Sequence, residues 1–291
     1  CSALHNTMLI SVIVTTYNRP DALCAVMRAL LAQTDTNFEV IIADDGSQEA
    51  TRDAVLAFST AQRASGLKRL VHAWQPDAGF RASAVRNLGV FAARGEYLVF
   101  LDGDCIPRPD FVARHRLLAE RGFMVSGSRV LLSAPLTQQV LATQEAVHAH
   151  SLFYWLLQRL SGKTNKLVPL LHFPNSPLRH YRAVKWNRIK SCNLAIWRDD
   201  YAAVNGFDES FVGWGHEDAD LVLRLARHGI RRKGGAFSTE VFHLWHRENT
   251  RATESENRRR VEERMQTGVV EAEIGLKEHP HADERITVVV T

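Results

Sequence analysis

Residues 97–104 read Tyr-Leu-Val-Phe-Leu-Asp-Gly-Asp, an apolar run that ends in two aspartates separated by a glycine. A short apolar run bounded by a turn signal is typical of a strand buried on both faces of a parallel sheet. Similar runs extend from Leu9 to Thr16, from Phe38 to Ala43 and from Leu67 to Trp74. The first hundred residues therefore predict a series of buried strands.

Helix signals separate these strands. Pro20 follows Asn18 and Arg19, and proline suits the first turn of a helix. The apolar residues after it recur at a spacing that places them on one helix face: Leu23, Val26, Met27, Leu30 and Leu31. A second helix is predicted from Ala82 to Ala93. Because alternating strands and helices require crossover connections, we expect an α/β fold whose mostly parallel central sheet is flanked by helices.

The pattern changes from about Phe123 onward. A strand is predicted through Val130, followed by an irregular segment over residues 162–186 that is rich in proline and basic residues. Order returns with a strand from Ile189 to Trp197 and a helix from His216 to Gly229, where glycine ends it. Residues 252–277 are expected to form a charged helix.

The composition excludes several classes of protein. The 291 residues are 45% hydrophobic and 23% charged, as in ordinary soluble globular proteins. Basic and acidic residues nearly balance, 36 against 32, which argues against a nucleic-acid partner. The basic runs at residues 231–233 and 258–260 are interpreted as solvated faces, with an anionic lipid contact as the alternative. No run approaches the ~20 apolar residues of a membrane helix. Scattered cysteines without a CxxC pair favour a reducing, cytoplasmic location.

Polar residues follow the predicted strands at the edge where open parallel sheets bind ligands. They are Thr15 to Asn18, Asp44 and Asp45, and Asp102 and Asp104. In an extended chain Asp102 and Asp104 would point to the same side, while Gly103 would let a ligand approach the backbone. Two carboxylates suit Mg2+ or Mn2+, and such an ion neutralises a diphosphate. The alternative is that the acidic triplet only forms a turn.

A further metal ligand is available in the segment VFHLWH, residues 241–246. His243 and His246 are both candidate imidazole donors. If the segment is a strand, the two side chains point to opposite faces, so we expect only one of them to bind the ion. The alternative is a structural histidine, and the sequence does not say which of the two ligates.

A third cluster spans residues 211–220, FVGWGHEDAD. Glycines flank Trp214, and Glu217, Asp218 and Asp220 come at the predicted start of a helix, where negative charge is favoured. One interpretation is helix capping alone. The other is catalytic: a sugar ring packs on an indole face, and a neighbouring carboxylate takes a proton from a hydroxyl nucleophile.

These motifs together resemble the family 2 glycosyltransferases of the GT-A fold. The segments that carry the resemblance, between about Ser11 and His246, are SVIVTTYNRP, VIIADDGS, DAGFRASAVRNLG, YLVFLDGDCIP, NLAIWRDD, VNGFDESFVGWGHEDADL and VFHLWH. The region that contains Trp214 is also similar to the carboxyl-terminal region of β1,4-galactosyltransferases and of bacterial chondroitin-synthase-type transferases. Galactosyltransferases have methionine where this chain has His243.

The resemblance implies roles for individual residues. Nucleotide-sugar binding is expected of Thr15, Tyr17, Asn18, Arg19, Asp45, Arg81, Arg86, Asp102, Gly103 and Asp104, with Thr15 and Asp45 at the base and Arg81 or Arg86 positioning the nucleotide. Mn2+ or Mg2+ is expected at Asp104, Asp102, His243 and His246. Asp218 is the expected general base and Glu217 an acceptor-binding catalytic residue. Trp214 and Gly215 are expected to line the acceptor pocket.

The function that the resemblance implies is metal-dependent, inverting transfer of galactose, GalNAc, glucose or GlcNAc from a UDP-sugar. The expected acceptor is a saccharide or lipid-linked saccharide in bacterial surface polysaccharide or lipooligosaccharide synthesis. Residues 8–250 would form the GT-A domain, with a nucleotide-sugar half over 8–130, an acceptor and catalytic half over 131–250, and a charged helical tail over 251–291.

The same residues also bear on the cellular location of the protein and on functions other than sugar transfer. The expected location is the cytoplasm, with peripheral contact at the inner membrane face through the 162–186 segment as an added interpretation. The sequence does not indicate an oligomeric state. The alternatives to a transferase are a sugar-nucleotide pyrophosphorylase and a non-catalytic sugar-nucleotide-binding protein. An NAD-linked dehydrogenase is disfavoured because no GxGxxG motif follows the first strand.

Overall fold

A computed structural model describes residues 7–62, 67–167, 171–181, 186, 189–247, 251–278 and 285–290. The strands are β1 (Ile10–Thr16), β2 (Phe38–Asp44), β3 (Leu70–Trp74), β4 (Tyr97–Asp102), β5 (Cys105–Pro107), β6 (Phe123–Ser126), β7 (Arg129–Leu131), β8 (His180–Tyr181), β9 (Asn193–Trp197), β10 (Arg231–Gly234), β11 (Val241–His243) and β12 (Ile286–Val290). The helices are α1 (Pro20–Leu31), α2 (Glu49–Gln62), α3 (Ala82–Ala92), α4 (Phe111–Leu118), α5 (Ala134–Thr143), α6 (Leu152–Leu160), α7 (Arg198–Ala203), α8 (Glu217–Arg227) and α9 (Glu254–Gln266).

The strands form a large mixed sheet and a small one. The large sheet has the order β12-β3-β2-β1-β4-β9-β6-β10-β8, and the small sheet has the order β5-β11-β7. The adjacent strands β3, β2, β1 and β4 are parallel, as the alternation of strands and helices predicts. Antiparallel pairs begin at β9, which lies between β4 and β6. The ligand-binding edge expected from the sequence is therefore the end of the parallel strands.

The core has two layers because successive residues of a strand face opposite sides of the sheet. Val12 and Val14 pack with α1 on one side, and Ile13 packs with α3 on the other. At Gly89 of α3 an added Cβ would lie 2.8 Å from the Ile13 side chain. The glycine therefore lets α3 pack closely on β1, which fixes the helix that carries Arg86.

The predicted strand from Phe123 to Val130 is in fact two strands. Gly127 interrupts it, and an added Cβ there would lie 2.2 Å from the side chain of Asn193. The close approach lets the chain leave the large sheet after β6, and β7 then pairs with β11 in the small sheet. Strands β3 and β9 also begin later than predicted, at Leu70 and Asn193.

Two other expectations need correction. The charged tail is helical only to Gln266, and β12 pairs with β3 at the edge of the large sheet. The local run ITVVV is β-branched, which favours that strand. The basic run at 231–233 is a solvated face only in part: Arg231 is exposed, but Lys233 is buried and bonded to Glu120 at 2.8 Å. The run at 258–260 is solvated, as predicted, and pairs along α9 with glutamates.

Of the helices in the described ranges, none combines the length and apolar character that crossing a membrane requires. The cysteines at positions 24, 105 and 192 are free thiols.

Candidate active site

The ends of the parallel strands are tied together by backbone hydrogen bonds. The Asp45 N–H donates to the Thr16 carbonyl at 3.0 Å, and the Gly103 N–H donates to the Thr15 carbonyl at 2.7 Å. The Thr15 hydroxyl oxygen is buried and has no hydrogen-bond partner among the described residues. A buried hydroxyl without a partner is costly, and the nucleotide-binding role of Thr15 stays a prediction.

Asp45 sits at this edge with both carboxylate oxygens engaged. It accepts from the Gln75 side-chain amide at 2.6 Å and from the Arg81 N–H at 2.8 Å. Burial raises the pKa of Asp45, and these hydrogen bonds act in the opposite direction. The Arg81 guanidinium donates to the Pro76 carbonyl. Gln75 is not among the residues predicted from the sequence. It directly follows β3, so the same rule that identified Asp45, a polar residue at the end of a parallel strand, applies to it equally.

Tyr17, Asn18 and Arg19 form the loop between β1 and α1. The Tyr17 hydroxyl is on the surface and donates to Asp77 at 2.9 Å. Asn18 has a left-handed backbone, with φ of 48°, and its side-chain oxygen accepts from the Gln48 N–H at 2.9 Å. Asn18 therefore holds the loop against the segment after β2, while both Tyr17 and Asn18 are exposed.

Three side chains predicted as metal ligands converge on one point. The closest carboxylate oxygens of Asp104 lie 3.7 Å from His243 Nε2 and 3.3 Å from His246 Nε2. The three potential ligand atoms all lie within 4.8 Å of one another. We call Asp104, His243 and His246 the metal triad.

The expectation that only one histidine faces the site is wrong. It assumed a strand through His246, but β11 ends at His243, and residues 244–247 are not part of the strand. The register pairs His243 with Cys105, and the Leu244 N–H donates to the Asp104 carbonyl at 2.9 Å. Pairing between β11 and β5 thus brings both imidazoles to Asp104.

Asp102 does not belong to this group in the structure. Because β4 ends at Asp102 and the next two residues form a turn, the two aspartates are not in an extended chain. Asp102 instead accepts from Arg86 Nη2 at 3.3 Å. Gly103 also has a packing role, since an added Cβ would lie 2.9 Å from the Thr15 carbonyl. The glycine is needed for packing against β1.

A buried group of charges lies beside the metal triad. Arg86 Nη1 contacts Glu217 at 3.2 Å, and its Nη2 contacts Asp102. Asp218 is also buried, with one carboxylate oxygen that has no partner among the described residues. We call Asp102, Arg86, Glu217 and Asp218 the carboxylate cluster. Arg86 thus bridges the acidic residues after β4 and those at the start of α8.

The carboxylate cluster shifts the protonation of its members. Burial raises the pKa of Glu217 to about 7, with Asp218 adding to the rise and Arg86 opposing it. Burial likewise raises the pKa of Asp102 to about 6, again against the effect of Arg86. Burial would lower the pKa of Arg86, but the three surrounding carboxylates raise it. The single guanidinium therefore stays charged among acids that are difficult to ionise together.

A strained turn leads into α8. Gly213, Gly215 and His216 all have positive φ, at 78°, 101° and 69°. An added Cβ at Gly213 would lie 2.2 Å from the Thr253 hydroxyl. The Trp214 ring lies under the Arg251 guanidinium, 4.9 Å from its centroid. Chain beyond residue 250 therefore forms part of the predicted acceptor pocket.

The first turn of α8 is anchored by residues that sequence analysis did not assign to the site. Asp220 accepts from Arg224 at 2.8 Å and from Arg264 of α9 at 2.7 Å. Arg264 also donates to Asp208 at 2.7 Å. Both aspartates are fully buried, so α9 fixes the turn that presents Glu217 and Asp218.

Comparisons with known proteins identify the family of this chain. Residues 11–182 match the model of Glycosyl transferase family 2. The chain belongs to this family. A second model, described as the N-terminal domain of galactosyltransferase, matches residues 177–247 of this family 2 member. That second match contains Glu217, Asp218 and both histidines of the metal triad.

Curated relatives of this family 2 chain include two whose names state an activity. Validoxylamine A glucosyltransferase of Streptomyces hygroscopicus subsp. jinggangensis (strain 5008) is 29% identical over 241 residues, covering 78% of this chain and 54% of that protein. Chondroitin synthase of Escherichia coli is 29% identical over 228 residues, covering 76% and 32%. The chain thus spans about half or less of the length of these relatives.

Solved structures show that the family 2 chain has the GT-A fold. S. aureus TarS 1-349 in complex with UDP-GlcNAc has a TM-score of 0.61 at 15% identity, covering 96% of this chain and 70% of that one. Mannosyltransferase PcManGT from Pyrobaculum calidifontis, in complex with GDP-Man and Mn2+, has a TM-score of 0.52 at 18% identity, covering 84% and 59%. The fold class expected from the sequence is therefore confirmed.

Proposed function

We propose that this chain transfers a sugar from a UDP-sugar to a saccharide hydroxyl, with inversion at the anomeric carbon and with a divalent cation. The observation that carries the proposal is the position of the metal triad directly beside the carboxylate cluster, at the end of the parallel strands. Asp102 and Asp104, two residues apart, connect the two groups. A metal-dependent inverting transferase uses both kinds of group within one site, the ion at the leaving diphosphate and a carboxylate at the attacking hydroxyl.

The metal triad has the donor set of a divalent-cation site. One carboxylate and two imidazoles leave coordination positions for the oxygens of a diphosphate. Imidazole donors favour Mn2+ over Mg2+, which prefers oxygen ligands. When bound, such an ion would neutralise charge on the departing nucleoside diphosphate. We assign Asp104, His243 and His246 as its ligands. We do not assign Asp102 as a ligand because its carboxylate accepts a hydrogen bond from Arg86.

The base of the nucleotide is assigned to Thr15 and Asp45. The unpartnered hydroxyl of Thr15 and the acceptor oxygens of Asp45 lie at the same strand ends. Gln75 and the Arg81 N–H hold the Asp45 carboxylate in place, so it can accept a hydrogen bond from an imide without reorienting. A uracil base, which presents an imide N–H, fits this arrangement, and UDP is the proposed carrier.

Asp218 is the proposed general base. Its buried oxygen without a partner can accept the proton of an acceptor hydroxyl. As that proton moves to Asp218, the acceptor oxygen bonds to the anomeric carbon, and the bond from that carbon to the diphosphate oxygen breaks. Glu217, held by Arg86, is proposed to orient the acceptor, with Trp214 and Gly215 forming the pocket wall. Attack from the face opposite the leaving group inverts the configuration.

The sugar and the acceptor are proposed by class. Galactose, GalNAc, glucose and GlcNAc are the candidate sugars, and a saccharide or lipid-linked saccharide is the acceptor. A glucosyltransferase and a chondroitin synthase among the relatives support a sugar acceptor, as does TarS with UDP-GlcNAc among the fold neighbours. Residues 8–130 are proposed as the nucleotide-sugar half and 131–250 as the acceptor half, which α9 completes. A cytoplasmic site of action remains a prediction.

The test is a screen of sugar nucleotides without acceptor. UDP release would be measured for the four UDP-sugars with Mn2+, Mg2+ or Zn2+ after removal of metal by chelator, with GDP-mannose included because PcManGT binds GDP-Man. We expect hydrolysis of one UDP-sugar that is highest with Mn2+. Equal hydrolysis in excess chelator, or turnover of GDP-mannose alone, would contradict the assignment.

A further inference from the structure

Helix α6 carries apolar side chains on two opposite faces, and one of these faces is exposed. At 100° per residue, five large apolar residues fall within an arc of about 140°. They are Leu152, Phe153, Leu156, Leu157 and Leu160, all exposed, with Phe153 at 68% and Leu160 at 76%. An apolar stripe of this kind on a short helix is unusual for a solvated surface.

The opposite face of α6 explains why the helix keeps this orientation. Trp155 is buried, and its ring stacks on Phe242 of β11 with centroids 4.1 Å apart and planes 12° apart. The Lys163 carbonyl just after the helix accepts from the Ser133 N–H at 2.9 Å. Because Trp155 fixes the inner face, the leucines cannot turn inward, and their exposure is built into the fold.

The charge around this stripe indicates what covers it. The sequence has no aspartate or glutamate between Glu145 and Asp199, but it has nine lysines and arginines there. Among the described ones, Arg159 is exposed at the edge of the stripe, and Lys163 follows Leu160 by less than one turn. Elsewhere the chain mixes both signs. A partner with an apolar interior and an anionic surface matches this combination.

We propose that the exposed face of α6 lies in the interface of a bilayer that contains anionic phospholipid. The leucines and Phe153 enter the boundary between headgroups and acyl chains, and the cations contact lipid phosphates. Through Trp155 and Phe242 the helix is joined to the strand that ends at His243, so the metal triad would lie close to the membrane surface. The proposal goes beyond the proposed function and does not depend on it, because it concerns binding and not turnover.

The test is co-sedimentation of the full chain with vesicles. Phosphatidylcholine vesicles with about one third phosphatidylglycerol would be compared with pure phosphatidylcholine vesicles, at low and high salt. We expect binding to the anionic vesicles that weakens with salt. Phe153→Ser with Leu160→Ser should lower the partition coefficient by at least about tenfold.

The matched control is Leu56→Ser with Phe91→Ser, which removes one leucine and one phenylalanine that are each 42% exposed on α2 and α3. It should bind vesicles like the wild type. Thermal melts of both variants report folding. Equal binding of the two variants, or no binding of the wild type, would overturn the proposal. So would a dimer, measured by light scattering, that only Phe153→Ser with Leu160→Ser dissociates, because a second copy would then be the occupant.

Discussion

The metal triad and the carboxylate cluster are neighbours that differ in exposure and in whether a cation of the protein contacts their carboxylates. The metal triad is partly open: the His246 side chain is 34% exposed, and the Asp104 carboxylate faces the two imidazoles. The carboxylate cluster is closed around Arg86, whose side chain is 5% exposed and already occupies the place between Asp102 and Glu217, while Asp102 itself is 32% exposed. The first group can therefore take a cation from solution, whereas in the second a guanidinium of the protein already contacts the carboxylates. The first should respond to metal, and the second to pH and to packing.

The largest effect is expected from Asp218→Asn. The amide keeps the shape of the side chain but cannot take a proton, so transfer should fall by about 10²- to 10⁴-fold. Binding of UDP with Mn2+, measured by calorimetry, should stay within a factor of about two, since the metal triad is intact. Wild-type turnover in this variant would remove Asp218 from the role of base.

Removal of a metal ligand should affect the metal triad and not the carboxylate cluster. Asp104→Ala and His246→Ala each delete one of three donors, so the Mn2+ concentration needed for half-maximal activity should rise by at least about 100-fold. His228→Ala is the matched control because that histidine is exposed at the end of α8. If His246→Ala keeps the metal response of the wild type, two ligands suffice and the proposed triad is wrong.

Arg264→Met tests whether α9 supports the carboxylate cluster. The change leaves Asp208 without its arginine and Asp220 with Arg224 alone, so unfolding free energy in urea should fall by about 3 kcal/mol. Arg259→Met, on the same helix, removes only the exposed pair with Glu263 and should cost less than about 0.5 kcal/mol. Because α8 carries the base but no metal ligand, Arg264→Met should lower turnover more than Mn2+ affinity. Similar stability of both variants would show that α9 does not hold α8.

The sequence was informative wherever local pattern governs the structure. The parallel strands, α1 and α3 follow from short apolar runs and helical spacing, and Asp104, Glu217 and Asp218 stand out as acids placed after a strand or at the start of a helix. Resemblance then supplied roles that no local pattern contains. The regular alternation of strands and helices in the first half predicts the mostly parallel sheet, and the resemblance identifies the fold as GT-A.

The remaining features depend on contacts between distant segments. That His243 and His246 both reach Asp104 follows from the register of β11 with β5, more than a hundred residues apart in the chain. That Asp102 contacts Arg86 instead of joining the metal ligands follows from the packing of α3 and α8. Arg264 lies in a helix whose local pattern is that of a solvated surface, so nothing near it in sequence indicates its bond to Asp220.

The smallest effect is expected from Glu217→Gln on the pH dependence of stability, measured as melting temperature without metal. The folded-state pKa of Glu217 is raised from 4.5 to about 7, so its ionised form is disfavoured by folding. The wild-type chain therefore loses stability through this group as pH rises from 4.5 to 7, and the loss is complete above 7. Glutamine does not titrate but can still accept from Arg86, so any change in that contact is the same at every pH. The melting temperature of the variant minus that of the wild type should then increase by a few degrees between pH 5 and pH 8.

Glu262→Gln on the exposed face of α9 should give a difference independent of pH. If the difference in melting temperature for Glu217→Gln is also independent of pH, Arg86 fully offsets the burial of Glu217. The contrast between the metal triad and the carboxylate cluster would then lose its electrostatic basis.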